Sequence, residues 1–131
     1  MIDTVAKVKA YLIADTGSTL YGLTGTRIWS PIAQDNFTNT AAAIVYHVAS
    51  EKPHASGSTY TTQVTFKCYG GSNSFTTART VYRALYDRLH AKGSYSNSIL
   101  RAWQVTASQS LLDPDTGWPY VLATYQVIFY R

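Results

Sequence analysis

Charge is what this sequence has least of. Asp, Glu, Lys and Arg make up 14% of its 131 residues, against about a quarter in ordinary soluble proteins. There is one cysteine, Cys68, so no internal disulfide can form and the fold does not depend on an oxidising compartment. No apolar run approaches the ~20 residues that a membrane-spanning helix needs. The opening Met1-Ile2-Asp3-Thr4-Val5 lacks the charged-then-apolar layout of a secretory leader. The 11 basic and 7 acidic residues give a net charge of +4, but the basic ones are scattered, unlike the clustered patch of a dedicated nucleic-acid binder. These absences leave a soluble intracellular domain as the expectation.

Hydroxyls and aromatic rings stand where the charges are missing: 17 Thr, 12 Ser and 11 Tyr. A hydrophobic fraction of 46% excludes disorder through low hydrophobicity. Aromatic and β-branched residues fit pleated, half-buried surfaces, so the composition leans toward sheet. The length predicts one domain over residues 1–131, which buries roughly two thirds of its extended surface without metal or disulfide. A surface of hydroxyls rather than charges also tolerates being covered, a hint of assembly.

The pattern along the chain predicts helix, strand stub, strand, strand, helix, strand, strand. Val5, Val8 and Leu12 repeat at helical spacing from Thr4 to about Asp15, with Asp3 or Thr4 as cap. Gly17, Gly22 and Gly25 then break the chain before the stub Arg27-Ile28-Trp29. Residues Ser30 to Thr40 have loop chemistry. Ala41 to Ser50 is almost continuously apolar, as in a strand buried on both faces, and Glu51 to Ser58 reads as a hairpin tip. Tyr60, Thr62, Val64, Phe66 and Cys68 alternate with Thr61, Gln63, Thr65 and Lys67, which is a half-buried strand. Ser72 or Ser74 caps a second helix with Ala78, Val81, Tyr82, Leu85 and Leu89 on one stripe, and Gly93 is expected to stop it after Lys92. Ile99 to Gln109 and Tyr120 to Tyr130 close the chain as strands around a turn at Leu111 to Pro119. The expected fold class is α+β, a four- to five-stranded, mostly antiparallel sheet with two helices packed on it.

Several motifs invite a chemical reading. Asp15-Thr16-Gly17 and Asp115-Thr116-Gly117 match the paired carboxylates of an aspartic peptidase, which share one proton to activate water. Their contexts, a helix end and a Pro- and Gly-rich turn, favour turn chemistry instead. Asp113 and Asp115 begin a calcium-like loop whose downstream acidic ligand is missing. His47, His54 and His90 have no metal-ligand spacing, and Cys68 reads as a small core residue. Gly70-Gly71-Ser72-Asn73-Ser74 precedes a helix, where phosphate can bind, but a cap and tight turn account for it. No catalytic set and no cofactor site emerges, so no enzyme is expected. Arg79 and Arg83 are one turn apart on the second helix, with Arg88 and Lys92 beyond, which is either a solvated face or a sequence-independent contact to nucleic-acid backbone. Trp29 and Trp118 flank loops, as hydrophobic lids or interface anchors. A monomeric RNA-binding module stacking bases on Tyr60 and Phe66 is a reading from another class.

The order of these features resembles the tail-terminator, or tail-completion, proteins of long-tailed bacteriophages. The stretches that carry it are Leu12-Ile13-Ala14-Asp15, Leu23 to Trp29, Ala43-Ile44-Val45-Tyr46, Val64 to Gly70, the helix Ala78 to Leu89 and the closing Thr124 to Phe129. The resemblance implies a virion protein at the head-proximal end of the tail, assembled in the host cytoplasm. It implies a ring, usually hexameric, that ends polymerisation of the tail tube and joins it to the head–tail connector. Partners would be further copies of the chain, the tail tube protein, the connector protein and passing DNA, with no membrane, cofactor or metal. Head-completion and neck proteins of the same virion are the nearest alternative. A closed ring needs two different patches per subunit. The interface candidates are Trp29, Asp35, Lys52, His54, Trp118 and Tyr120, and the candidates for a DNA-facing pore are Lys67, Arg79 and Arg83.

Overall fold

Asp3 opens the first helix: its carboxylate accepts a hydrogen bond from the Ala6 N–H at 3.1 Å, satisfying an amide the helix leaves free. The computed structural model describes residues 3–35, 37–49, 52–53 and 59–130. The first helix, α1, spans Thr4–Ala14. Its buried stripe is Val8, Tyr11 and Leu12, while Val5 stays 40% exposed. A second helix, α2 (Thr19–Thr24), occupies the stretch where three glycines suggested a break. Ser18 caps it by accepting from the Tyr21 N–H, and Leu20 is buried beneath it. One cap and one buried leucine outweigh Gly22, which costs a helix only about 1 kcal/mol.

The strands are β1 (Ile28–Trp29), β2 (Ala42–Val48), β3 (Lys52–Pro53), β4 (Thr59–Gly70), β5 (Lys92–Ser94), β6 (Ile99–Gln104), β7 (Gln109–Leu112) and β8 (Pro119–Tyr130), with α3 (Phe75–Leu89) between β4 and β5. They form one sheet in the order β1-β2-β4-β8-β6-β5, with β3 added to β4 and β7 to β8. The central pair, β4 with β8, is antiparallel from Thr59↔Tyr130 to Tyr69↔Tyr120. Among the described strands, only the stub β1 runs parallel to its neighbour. The expected four or five strands and two helices become eight strands and three helices among the described residues. The reason is interruption rather than a different plan. β2 and β3 follow one another along the same edge of β4, and β6 and β7 do so along β8. Four long ribbons are thereby cut into shorter strands, and the stubs β1 and β5 extend the edges.

All three helices bury side chains against one face of this sheet. Val8, Tyr11, Leu12 and Leu20 join Ala78, Val81, Leu85 and Leu89 of α3 over Tyr60, Phe66 and Cys68 of β4 and Val121, Tyr125 and Phe129 of β8. The two alternating patterns thus face the core as their period demands. Tyr60 and Phe66 are at most 2% exposed, so neither is a platform for stacked bases. Cys68 is fully buried, and burial pushes its thiol well above its ordinary range. It is a core side chain.

Two sequence expectations about α3 change. The helix stops at Leu89, capped by His90, and Ala91 takes the left-handed conformation (φ 59°) that was assigned to glycine. Gly93 instead lies in β5, where a Cβ would stand 2.3 Å from the Leu100 carbonyl oxygen. Arg88, read as part of a cationic face, turns inward. Its Nη2 donates to the Tyr11 carbonyl and the Tyr11 hydroxyl donates to the Arg88 carbonyl, both at 2.7 Å. The guanidinium carbon also lies 4.1 Å from the Tyr11 ring centre. This clasp ties α1 to α3. Arg88→Ala should cost roughly 1.5–3 kcal/mol in chemical denaturation, as loss of a charged hydrogen bond does, and Tyr11→Phe about 1 kcal/mol. Equal stability of both variants with the native chain would remove the clasp from the account.

Candidate assembly surfaces

The sheet face opposite the helices is the unusual surface. Its central ribbons carry Thr61, Gln63, Thr65 and Lys67 against Ile128, Gln126, Thr124 and Leu122, and the hydroxyls of Thr65 and Thr124 lie 3.4 Å apart. Lys67 is the one charge in these two rows. It reaches over the Tyr120 ring, 5.3 Å from its centre, which partly spends its charge on a local cation–π contact. His47, on β2 opposite Thr65, is exposed on the same face.

At one end this face is roofed. Val45, Tyr69 and Tyr120 form a second buried cluster with Trp29, Ala33, Phe37, Trp118 and Leu122 packed against them. Phe37 touches Trp29, Tyr69 and Trp118 edge-on at ring-centre distances of 5.2, 5.8 and 5.5 Å, the geometry aromatic quadrupoles prefer. The loop around residues 30–40 is held by Asn39 (φ 53°). The Asn39 amide donates to the Ser72 carbonyl, and its oxygen accepts from the Gly71 N–H. The 113–118 turn lies over the same end. Burial, then the nearby Asp113 carboxylate, pushes the Tyr69 hydroxyl up to about 12.

The interface candidates therefore divide. Trp29, Trp118 and Tyr120 converge, but mainly on one another, as a lid. Asp35 stands exposed in the 30–40 loop. Lys52 pairs with Thr61 through β3, and His54, with most of the Glu51–Ser58 loop, lies outside the described residues. Phe37, the residue that pins the lid, was not singled out from sequence. Its signal was an isolated aromatic among Asp35, Thr38 and Asn39.

The pore candidates also divide. Arg79 and Arg83 are exposed on α3, on the helix-covered side of the sheet, and the Arg79 guanidinium lies 5.7 Å from the Phe75 ring centre. Lys67 is on the opposite face. The three do not make one basic surface, because successive residues of a strand point to opposite sides and α3 covers only the side of Phe66 and Cys68.

The remaining motifs resolve into local structure. Asp15 ends α1 and accepts from the Gly17 N–H, while Asp113 accepts from the Asp115 and Thr116 N–H groups and Gly117 takes φ 73°. Each Asp-Thr-Gly is a turn. Ser74 caps α3 by accepting from the Thr76 N–H, and the Ser72 and Thr77 hydroxyls lie 2.8 Å apart, so the Gly70–Ser74 loop satisfies itself. The Gln104 N–H donates to His90 Nδ1 at 3.1 Å. Among the described residues, no group of three His, Cys, Asp or Glu side chains is placed to hold a metal ion, and no helix is long and apolar enough to cross a membrane.

Two sheet edges carry exposed apolar side chains. Along β7 every residue is exposed, with Leu112 at 61%. At the β1 edge, an apolar groove of about 680 Å³ runs between α1 and the chain around Ile28 and Ile32.

No family model and no curated protein matches the chain. Among solved structures, it is similar to a chain in the virion of a native gene transfer agent particle. The two are 14% identical, and the match covers 97% of this chain and 98% of that one with a TM-score of 0.65. At that identity the likeness is one of fold.

Proposed function

We propose that this protein is a structural component of a phage-like virion, of the tail-terminator kind: a ring that caps the tail tube, ends its growth and provides the joint to the head connector. The observation that supports this most is the fold shared end to end with a chain of a gene transfer agent virion. It agrees with the order of sequence features that resembles tail terminators. The physical character of the surface points the same way. A half-buried face of Thr and Gln, almost free of charge, is cheap to desolvate against a partner because no ion has to be stripped of water. The reading is non-enzymatic, with copies of this chain, tube protein, connector protein and passing DNA as partners.

Electron microscopy of tail tubes polymerised with and without the protein tests it. Capped tubes of limited length are the expected result, and sedimentation of the mixture should show rings, six-fold by the resemblance. Binding to a connector ring without any effect on tubes would instead favour a neck protein. A monomer that meets neither would end both readings.

Arg79 and Arg83 are the pair proposed to face the DNA. Each lysine or arginine that neutralises a phosphate adds about 0.9 to the slope of log affinity against log salt. Arg79→Glu with Arg83→Glu should flatten that slope by roughly 2 in a filter-binding titration of the assembled ring, and Lys67→Glu should leave it unchanged. The reverse pattern would put the opposite face of the sheet toward DNA.

A further inference from the structure

The two apolar patches at the sheet edges differ in shape and in charge. β7 lies on the outer flank of β8, and among the described residues no strand pairs with its other flank. Leu111 and Leu112 are 36% and 61% exposed, a costly display for a strand that pairs within the sheet. The hairpin from Val105 to Tyr130 contains no Lys, Arg or His, and its only charges are Asp113 and Asp115 at the tip. This acidic arm belongs to a protein of net charge +4.

The opposite edge has the complementary features. Strand β1 ends the sheet on that side, and beside it the groove is walled by Val5, Ala10 and Ile13 of α1 and by Ile28 and Ile32. Its volume, about 680 Å³, exceeds that of several leucine side chains. Ile32 is 73% exposed at its lip. Lys9 lines the groove and is the cation of its wall. The acid of that wall, Asp3, is already engaged in capping α1. Pro31, without an N–H, follows the two-residue β1, which leaves little strand edge for a visiting segment to extend.

We propose that the β7 arm of one copy seats Leu111 and Leu112 in the α1–β1 groove of the next, with Asp113 and Asp115 facing Lys9. The patches are different and lie on opposite edges of one sheet. Their pairing is heterologous, the kind that continues around a ring instead of stopping at a dimer. The proposal rests on the ring reading above and supplies its subunit contact.

The test is a disulfide trap. In Leu112→Cys with Ile32→Cys, both positions are exposed, and native Cys68 stays buried and unreactive. Mild oxidation of the assembled protein should give a ladder of linked copies on a non-reducing gel, collapsing on reduction. Each single variant can give at most dimers. A ladder no longer than that of the single variants overturns the arm-in-groove contact. If rings are still visible by microscopy, the ring reading survives that loss; if no ring forms, both fall. Charge exchange is the second measurement. Asp115→Lys and Lys9→Glu should each weaken association by roughly threefold, the scale of an exposed ion pair, and their combination should restore it. Weakening that simply multiplies in the double variant also overturns the pairing.

Discussion

Gly70→Ala should lower the melting temperature by roughly 10 °C or more, whereas Gly22→Ala should raise it. At Gly70, where β4 hands over to α3, a Cβ would lie 2.3 Å from the Thr77 hydroxyl oxygen and 2.4 Å from the Thr77 carbonyl carbon and the Ala78 nitrogen. Two of those three atoms are backbone of the first turn of α3, and they cannot swing aside as a flexible side chain would. Relief requires α3 to lift off the sheet, taking Ala78 and Val81 out of the core cluster they share with Phe66. Overpacking by a side chain commonly costs 1–3 kcal/mol; a backbone clash on this scale should exceed about 3 kcal/mol, a large part of a 5–15 kcal/mol total. That corresponds to a drop of roughly 10 °C or more in Tm. Gly22 sits inside α2 with nothing within 4 Å of its would-be Cβ. There, alanine removes glycine's entropic penalty and should add about 0.5–1 kcal/mol. Thermal unfolding followed by circular dichroism reads both signs. A Gly70→Ala protein as stable as the native chain would mean that α3 does not approach β4 this closely.

That junction shows which parts of the structure could be read from sequence. Period-two alternation in residues 60–68 has a single solution once one face is buried, and the buried set is the predicted one. Gly70-Gly71 was recognisable as a strand end, but the closeness of α3 was not, because it depends on contacts between segments. The same limit explains Gly93. A glycine after a helical stripe suggests a C-cap, and only the approach of Leu100 from a distant strand reveals its actual role. Arg88 was placed on a solvated face because charge usually is; its reciprocal bonds with Tyr11, 77 positions away, have no local signature. The lid is similar. Trp29 and Trp118 stood out as aromatics at loops, yet Phe37, which bridges them, became visible only when two loops met over one end of the sheet. The edge patches were harder still. Leu111 and Leu112 looked like the entrance to a turn, and their exposure on a paired strand is what turns them into a feature.

The tyrosines that replace charge in this sequence should also make the fold sensitive to base. Burial pushes the Tyr46 hydroxyl, which donates to the Val5 carbonyl, up to about 12, and Tyr69 likewise. Burial raises Tyr125 and Tyr11 too, the latter against the lowering effect of Arg88. Unfolded tyrosines lose their proton near 10.0. The sign follows from these values: the folded hydroxyls hold protons that the unfolded chain gives up. Their contribution to stability is complete below about pH 10 and is lost as pH rises toward 12. Each such tyrosine removes at most about 1.4 kcal/mol per pH unit, less where its hydroxyl meets solvent. Acting together over two units, these groups can consume a stability of ordinary size. The expected observation is one cooperative transition between pH 10 and 12, in which tyrosinate absorbance rises together with loss of the far-ultraviolet dichroism. Tyr46→Phe has no proton to lose there, so its transition should lie at higher pH even though it forfeits the Val5 bond at neutrality. Gradual titration of all the tyrosines near pH 10 with the dichroism intact would contradict the burial on which this rests. Assembly gives the same argument a second reading. Tyr69 lies under the Phe37–Trp118 lid at the charge-poor face, and a partner bound over that face would bury its hydroxyl further. If the protein caps tubes through this face, the alkaline transition of the capped complex should lie above that of the free chain.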